Sequence, residues 1–423
     1  MQERTLSQKI ILGIQHTLAM FGATVLVPTL TGLNVSITLL CAGLGTLLFH
    51  LITKKKVPVF LGSSFAFMAG IMAVLGDSRV GDPDYLDKLS TLKGALIVAG
   101  LVYVVFALLI KFFGYEKVNR LLPPIVTGPV IIVIGLRLSA SAINSAFYHD
   151  GVFSLKSILV TLVVLATVII VSIWAKGVFN LMPILFAIIV GYLVCLPLGF
   201  CDFTAVREAH WISFTDQAIY SQLLCLPTFR MDAIMAVAPI ALVTMIEHVG
   251  DITTNGAVVG QNFFEDPGVH RTLLGDGLAT ALAGLLGGPA NTTYGENTGV
   301  LAVTKVYDPS IIRIAAVFAI ILGTIGKFGG FITSLPSPVT GAISIVLYGM
   351  ISAVGVRILI NSRLNFGDSR NLLTAAIILV LGIGCDSIPI TETVTISGLA
   401  LAAVVGIVLA LILPEGEESV LSD

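Results

Sequence analysis

Apolar runs of bilayer-crossing length recur along this chain from end to end. A spanning helix needs about 20 predominantly apolar residues. In the first half, candidates lie near Ile10–Pro28, Ile37–Ile52, Pro58–Leu75, Gly94–Phe113, Pro124–Leu138, Leu155–Trp174 and Leu181–Phe200. In the second they lie near Met231–Gly250, Leu273–Leu286, Pro289–Thr304, Ile311–Phe331, Leu335–Ile351, Leu372–Ile388 and Thr395–Leu413. The pattern predicts an all-α polytopic membrane protein of about 14 segments. Composition agrees: charged residues are 11% of the chain, against roughly 25% in a soluble domain. The net charge of −2, with no basic cluster longer than Lys54-Lys55-Lys56, gives nucleic acid no footing. The five cysteines have no metal or redox spacing, so no metal or cofactor is implied. Cys201 and Cys225 flank one loop and would pair only in an oxidising compartment. The first run lacks a small-residue cleavage site and reads as a spanning helix, not a signal peptide.

Charge sets the orientation. With the N-terminus inside, the inner loops collect most of the 23 basic residues, among them Arg4, Lys9, Lys54, Lys55, Lys56, Lys117 and Arg120. The acidic loop with Asp77, Asp82, Asp84 and Asp87 falls outside. The positive-inside rule therefore places both termini in the cytoplasm.

The chain also repeats itself. Leu122-Pro123-Pro124-Ile125-Val126-Thr127-Gly128 in the fifth segment parallels Leu335-Pro336-Ser337-Pro338-Val339-Thr340-Gly341 in the twelfth. Gln15-His16 in the first is echoed by Glu247-His248 in the eighth. The third and tenth are both interrupted by Gly, Ser and Thr, as Leu61-Gly62-Ser63-Ser64-Phe65 and Asn291-Thr292-Thr293-Tyr294-Gly295-Glu296-Asn297. Each pair lies seven segments apart. An odd-numbered repeat inserts its halves upside down, giving a 7+7 inverted repeat about an axis in the membrane plane.

Paired interruptions at corresponding positions mark a transporter's binding site. Within lipid, non-helical backbone survives only where protein or a water-filled cavity covers it. Pro58 and Pro289 open the two stretches and deny an early backbone donor. Each is expected to begin extended and turn helical midway, the two short strands pairing antiparallel. The half-helices that follow would aim their positive ends at carbonyl oxygens or an anion.

Intramembrane carboxylates are functional by default, which singles out Glu296 and Glu247. Asp251 lies four residues after Glu247 and shares its face of a helix. Two such carboxylates close together do not both ionise easily, which suits a group that exchanges a proton. His16 and His248 read either as packing histidines or as members of that proton route. Phe65 and Tyr294 read as core aromatics or as stacking faces, and Tyr348 stands alone in an apolar segment. Carboxylates that accept N–H, amides near Phe65 and Gly295 that donate, and aromatic faces suit a small flat ring such as a pyrimidine-dione.

The run Glu296-Asn297-Thr298-Gly299-Val300-Leu301-Ala302-Val303-Thr304-Lys305 resembles the signature of the nucleobase–ascorbate transporter family. Gln15-His16, Phe21-Gly22-Ala23-Thr24, Gly62-Ser63-Ser64-Phe65, Glu247-His248 and Tyr294-Gly295-Glu296 resemble the family's bacterial uracil branch. The likeness runs from about Ile10 to Leu413. It implies core segments 1–4 and 8–11 (10–113 and 231–331) moving against gate segments 5–7 and 12–14 (124–200 and 335–413). It also implies proton-coupled uracil uptake by a homodimer joined through gate domains in the bacterial cytoplasmic membrane. Carried over by position, Glu247 and Glu296 hold uracil, Phe65 and Gly295 offer amides, Tyr294 lines the pocket and Tyr348 faces it from the gate. One residue departs from the pattern: Asp251 stands where uracil members carry a second histidine and purine members often carry Asp. The Glu-Asn start of the signature is uracil-like, where purine members usually have Gln. The alternatives are a purine (xanthine or urate) or other anion symporter of the same fold, or a passive channel. An intramembrane hydrolase lacks its nucleophile and base or a His-Glu-x-x-His motif, so no enzyme is expected.

Overall fold

The computed structural model describes residues 5–115, 123–149, 151–177, 179–385, 387–389 and 395–414. Arg4, Lys117 and Arg120 of the charge pattern, and Leu122 of the repeat, lie outside them. Segment 1 is Leu6–Thr31, segment 2 Val35–Ile52, segment 4 Tyr85–Phe113, segment 5 Pro124–Phe147, segment 6 Leu155–Trp174 and segment 7 Pro183–Leu198. In the second half, segment 8 is Met231–Val259, segment 9 Val269–Leu286, segment 11 Pro309–Thr324, segment 12 Ser337–Asn361, segment 13 Ser369–Gly384 and segment 14 Gly398–Ile412. Segments 3 and 10 differ from the rest. Strand β1 (Leu61–Ser63) precedes a half-helix, Met68–Leu75, and strand β2 (Asn291–Thr293) precedes another, Gly295–Thr304. The molecule is a multi-pass membrane protein built mostly of helix.

Local signals start the helices. Thr5 and Gln8 form a reciprocal capping box on segment 1, and Asn34 accepts the Ile37 amide at the start of segment 2. Proline opens segments 5, 7 and 11 at their first helical position, where no backbone donor is needed. Several boundaries differ from the hydropathy reading, because a helix propagates past the point where its residues stop being apolar. Segment 4 starts at Tyr85 rather than near Gly94, and segment 12 runs on to Asn361. Segment 8 is broken at Ala238-Pro239, where proline withholds a donor. After segment 11 an extended Ile325 bridges Ile212 before a short helix, Gly326–Thr333. All five cysteines are free, so Cys201 and Cys225 do not pair.

The packing closes under exchange of each segment with the one seven later. Segment 4 packs along segment 9, and its image, segment 11, along segment 2. Segments 6 and 7 pack together as do 13 and 14, while segment 5 packs lengthwise on its own image, segment 12. The two large apolar clusters follow the same exchange in the main. One is built chiefly from segments 3, 4, 5, 8, 9, 13 and 14, and the other chiefly from 10, 11, 12, 1, 2, 6 and 7, joined by Phe60 and Met68 of segment 3 and Leu138 and Ala142 of segment 5. At the 5–12 seam a Cβ on Gly128 would fall 2.6 Å from Leu359, and one on Gly341 2.3 Å from the Ala146 nitrogen. The shift that carries Gly128 to Gly341 also carries Ala146 to Leu359. These are one contact made twice, and small residues at both places let the backbones close. The fold is a 7+7 inverted repeat.

Candidate functional site

The two interrupted segments meet at mid-span. β1 and β2 pair antiparallel, with Leu61 opposite Thr293, Gly62 opposite Thr292 and Ser63 opposite Asn291. The ladder is extended at each end by the Ser64 amide donating to the Ala290 carbonyl at 2.9 Å and the Tyr294 amide to the Phe60 carbonyl at 3.0 Å. In an antiparallel pair, alternate residues point their backbone groups away from the partner strand. Here those residues are Leu61, Ser63, Asn291 and Thr293, and hydrocarbon would offer them no partner. Side chains supply partners for five of their eight backbone groups. Thr46 Oγ1 accepts the Leu61 amide (2.9 Å) and donates to the Leu61 carbonyl (3.2 Å). The Tyr294 hydroxyl donates to the Ser63 carbonyl (2.8 Å), the Thr280 hydroxyl to the Asn291 carbonyl (2.8 Å), and the Thr293 amide donates to Asp276 (3.2 Å). A Cβ on Gly62 would lie 2.4 Å from the Tyr294 ring, so only glycine lets that ring cross the strand.

Beyond the ladder, the chain turns helical and the amides of Phe65 and Gly295 have left the pairing. The half-helix at Gly295 has Tyr294 as its N-cap residue with no side-chain cap bond, and the one at Met68 likewise lacks a side-chain cap. Both N-termini therefore keep unpaired donors and a partial positive charge. Glu296 sits in the first turn of the segment 10 half-helix. Glu247 lies mid-way along segment 8. Each is exposed while the next residue in the chain, His248 or Asn297, is buried, so both carboxylates are accessible at the depth of the interrupted segments. Asp251, half-buried, brings its Oδ1 to 3.5 Å from where a Gly295 Cβ would stand. Glu247 and Asp251 each lie within electrostatic range of Glu296, and Asp251 also lies within range of Arg357 on segment 12. The arrangement gathers acceptors opposite donors, which suits a ring carrying both N–H and C=O.

The remaining residues singled out from the sequence stand behind this surface. His248 is buried, with Nδ1 2.9 Å from Asp276 Oδ2 and 2.7 Å from Thr293 Oγ1, and Nε2 3.0 Å from Thr272 Oγ1. His16 is buried too, and the Asn297 amide nitrogen lies 3.1 Å from both its Nδ1 and its carbonyl. Tyr294 is buried, its hydroxyl shared among Ser63 and Thr24. Tyr348 is buried in the 5–12 seam, where a Cβ on Gly135 would meet its carbonyl at 2.3 Å. Phe65 is half-buried against the apolar cluster of segments 1, 2 and 10 to 12. Among the described residues, no group of three His, Cys, Asp or Glu is placed to hold a metal ion.

Asp276 escaped the sequence reading. It joins segment 9 to segment 8 through His248 and to β2 through the Thr293 amide and hydroxyl. Its signal was present: a carboxylate between Gly275 and Gly277, inside a run otherwise read as apolar.

A family model described as Permease family (Xan_ur_permease) matches residues 7–391 of this chain. The uracil permease of Bacillus caldolyticus is 47% identical over 412 residues, covering 97% of this chain and 93% of that protein. The uracil permease of Escherichia coli K12 is 37% identical over 410 residues, covering 96% and 91%. Among solved structures, the transmembrane domain of the cyanobacterial bicarbonate transporter BicA superposes with a TM-score of 0.63 at 15% identity, covering 97% of this chain and 98% of that one. The murine anion transporter Slc26a9 in its inward-facing state gives 0.71 at 9% identity, covering 97% and 68%. At those identities the structural likeness speaks for the fold alone.

Proposed function

The chain belongs to the nucleobase–ascorbate transporter family of permeases, and on that premise we propose that it imports uracil together with protons across the bacterial cytoplasmic membrane. The observation that carries this reading is the pair of accessible carboxylates, Glu247 and Glu296, within electrostatic range of each other, with two uncapped half-helix ends in the paired interrupted segments. Glu247 and Glu296 accept the ring N–H groups, and the amides of Phe65 and Gly295 donate to its carbonyls. Phe65 supplies an apolar face. Tyr294 and His16 act from behind, the first by tying β1 to β2 and the second by holding Asn297. Asp251, one helical turn from Glu247 and beside Gly295, is the group that takes up and releases the coupled proton. The relatives named for uracil support the substrate, and the Glu296-Asn297 pair supports it further.

Transport then proceeds by alternating access. Segments 1–4 and 8–11 form a core that carries the site, and segments 5–7 and 12–14 form a gate. The core rocks against the gate's 5–12 seam, in which Tyr348 is buried on the gate side. Two copies associate through their gates, with both termini in the cytoplasm, as the basic inner loops favour.

Uptake of labelled uracil into proteoliposomes, with and without an inward proton gradient, tests the reading. Saturable, gradient-driven accumulation that xanthine and urate fail to inhibit is the expected result. Inhibition by purines as strong as by unlabelled uracil would instead favour a purine carrier, to which Asp251 points. Non-saturating equilibration indifferent to the gradient would mark a channel.

A further inference from the structure

A cleft of about 530 Å³ opens on segments 1, 2 and 11, and none of the residues lining it belongs to the site described above. Its length is apolar, lined by Leu47, Ile314, Val317 and Ile321, while Lys9, Ser310 and Arg313 gather at one end. That end is where segments 1 and 11 begin, joined by Lys9 Nζ at 2.8 Å from Asp308 and 3.2 Å from Ser310 Oγ. Asp308 therefore balances Lys9. Among the described residues, nothing balances Arg313. Its guanidinium makes no hydrogen bond or ion pair among the described residues, and its Nη1 is buried.

A guanidinium left without an acceptor near a membrane boundary costs several kcal/mol, so its anion should come from outside the chain. Arginine's planar fork suits phosphate, which it binds through two parallel N–H···O contacts. The apolar part of the cleft continues from Arg313 to Ile321, eight residues on, or about 12 Å of helix at ~1.5 Å per residue. Val317 and Ile321 on that wall are 46% and 47% exposed, as residues that meet hydrocarbon would be. A cation at the mouth and an apolar trough behind it match an amphiphile with an anionic head. We propose that this cleft binds one anionic phospholipid, its phosphate on Arg313 with Ser310 and Lys9 alongside, and its acyl chain along Val317 and Ile321. The lipid would pin segments 1, 2 and 11 together. The inner leaflet, where basic loops meet anionic lipid, is the matching side.

The full-length protein in detergent can be titrated with phosphatidylglycerol, phosphatidylcholine or inorganic phosphate, reading its melting temperature and, by native mass spectrometry, retained lipid. Phosphatidylglycerol should raise the melting temperature by several degrees more than phosphatidylcholine and leave one lipid adduct per chain. Arg313→Gln should lose that selectivity and the adduct, with Arg313→Lys in between. Val317→Trp, which fills the trough from its exposed side and spares Arg313, should displace the lipid in the same way should the charge variant not fold. An equal response to phosphatidylcholine, an unchanged adduct in Arg313→Gln or Val317→Trp, or an equal effect of inorganic phosphate alone would overturn the assignment.

Discussion

Glu296 stands in the first turn of a helix that has no side-chain cap, so its carboxylate faces no competing side-chain donor and, in the proposed function, is left to the substrate. Hydrogen bonds to a charged group are worth about 1.5–3 kcal/mol. Glu296→Gln and Glu247→Ala are therefore each expected to weaken uracil binding by roughly ten- to a hundredfold, with the protein still eluting as a single species in detergent. Equilibrium binding measures this, and unchanged affinity in either variant would remove that carboxylate from the site. Asp251→Asn is expected to flatten the pH dependence of uptake more than it changes affinity, and a wild-type pH profile would refute the proton role. Asp276 is a positioning residue. Replacing it with Ala strips acceptors from His248 and from both the hydroxyl and the amide of Thr293. Each orphaned donor costs about 1–3 kcal/mol, so Asp276→Ala should lower the melting temperature markedly. Asp276→Asn, which keeps one acceptor oxygen, should lower it less.

The pair of half-helices shows most clearly how element-scale structure was written in the chain and where the writing stops. Proline, glycine and hydroxyl residues inside apolar runs announced β1 and β2, and their antiparallel pairing followed because neither strand had another partner at that depth. What finishes the edges was not legible. Thr46, Thr280 and Asp276 come from segments 2 and 9, and nothing local to them says which carbonyl or amide they reach. The same blindness affected basic residues near segment ends. Lys93 is buried and donates to the Gln222 and Cys225 carbonyls at 2.7 Å, closing the C-terminal end of a short helix, Gln217–Leu224. Hydropathy sees only a charge there, because cap partners are set by tertiary approach. Gly62 tests the element directly. Gly62→Ala places a methyl within the Tyr294 ring, so it should separate the strands and lose uracil binding, whereas Tyr294→Phe, which removes only the hydroxyl's bonds to Ser63 and Thr24, should cost about 1–3 kcal/mol. Thermal melts and binding on both variants distinguish the two effects.

Across the whole molecule, the inverted repeat turns local chemistry into a statement about sidedness. The seam between segments 5 and 12 contains the same close contact twice, at Gly128 and again at Gly341. The two lie toward opposite faces of the membrane, since the halves are inverted. Leucine at Gly128 and leucine at Gly341 should therefore wedge opposite ends of the seam and bias the carrier toward opposite openings. Accessibility of a cysteine placed at Ser141 to a membrane-impermeant reagent from either side reads the bias, and identical labelling in both variants would contradict it. This symmetry was visible in the Pro-x-x-Val-Thr-Gly echo and the paired interruptions, and the packing completes it. The proposed division into a core that moves and a gate rests on energetics between states, which no local pattern of the chain encodes.

The little ladder between β1 and β2 has five of its eight outward backbone groups answered by neighbouring side chains, down to one threonine oxygen that serves both the amide and the carbonyl of Leu61. Those five bonds borrow nothing from solvent. If the proposed cycle wets and dries the space beside the ladder, these contacts stay made throughout it.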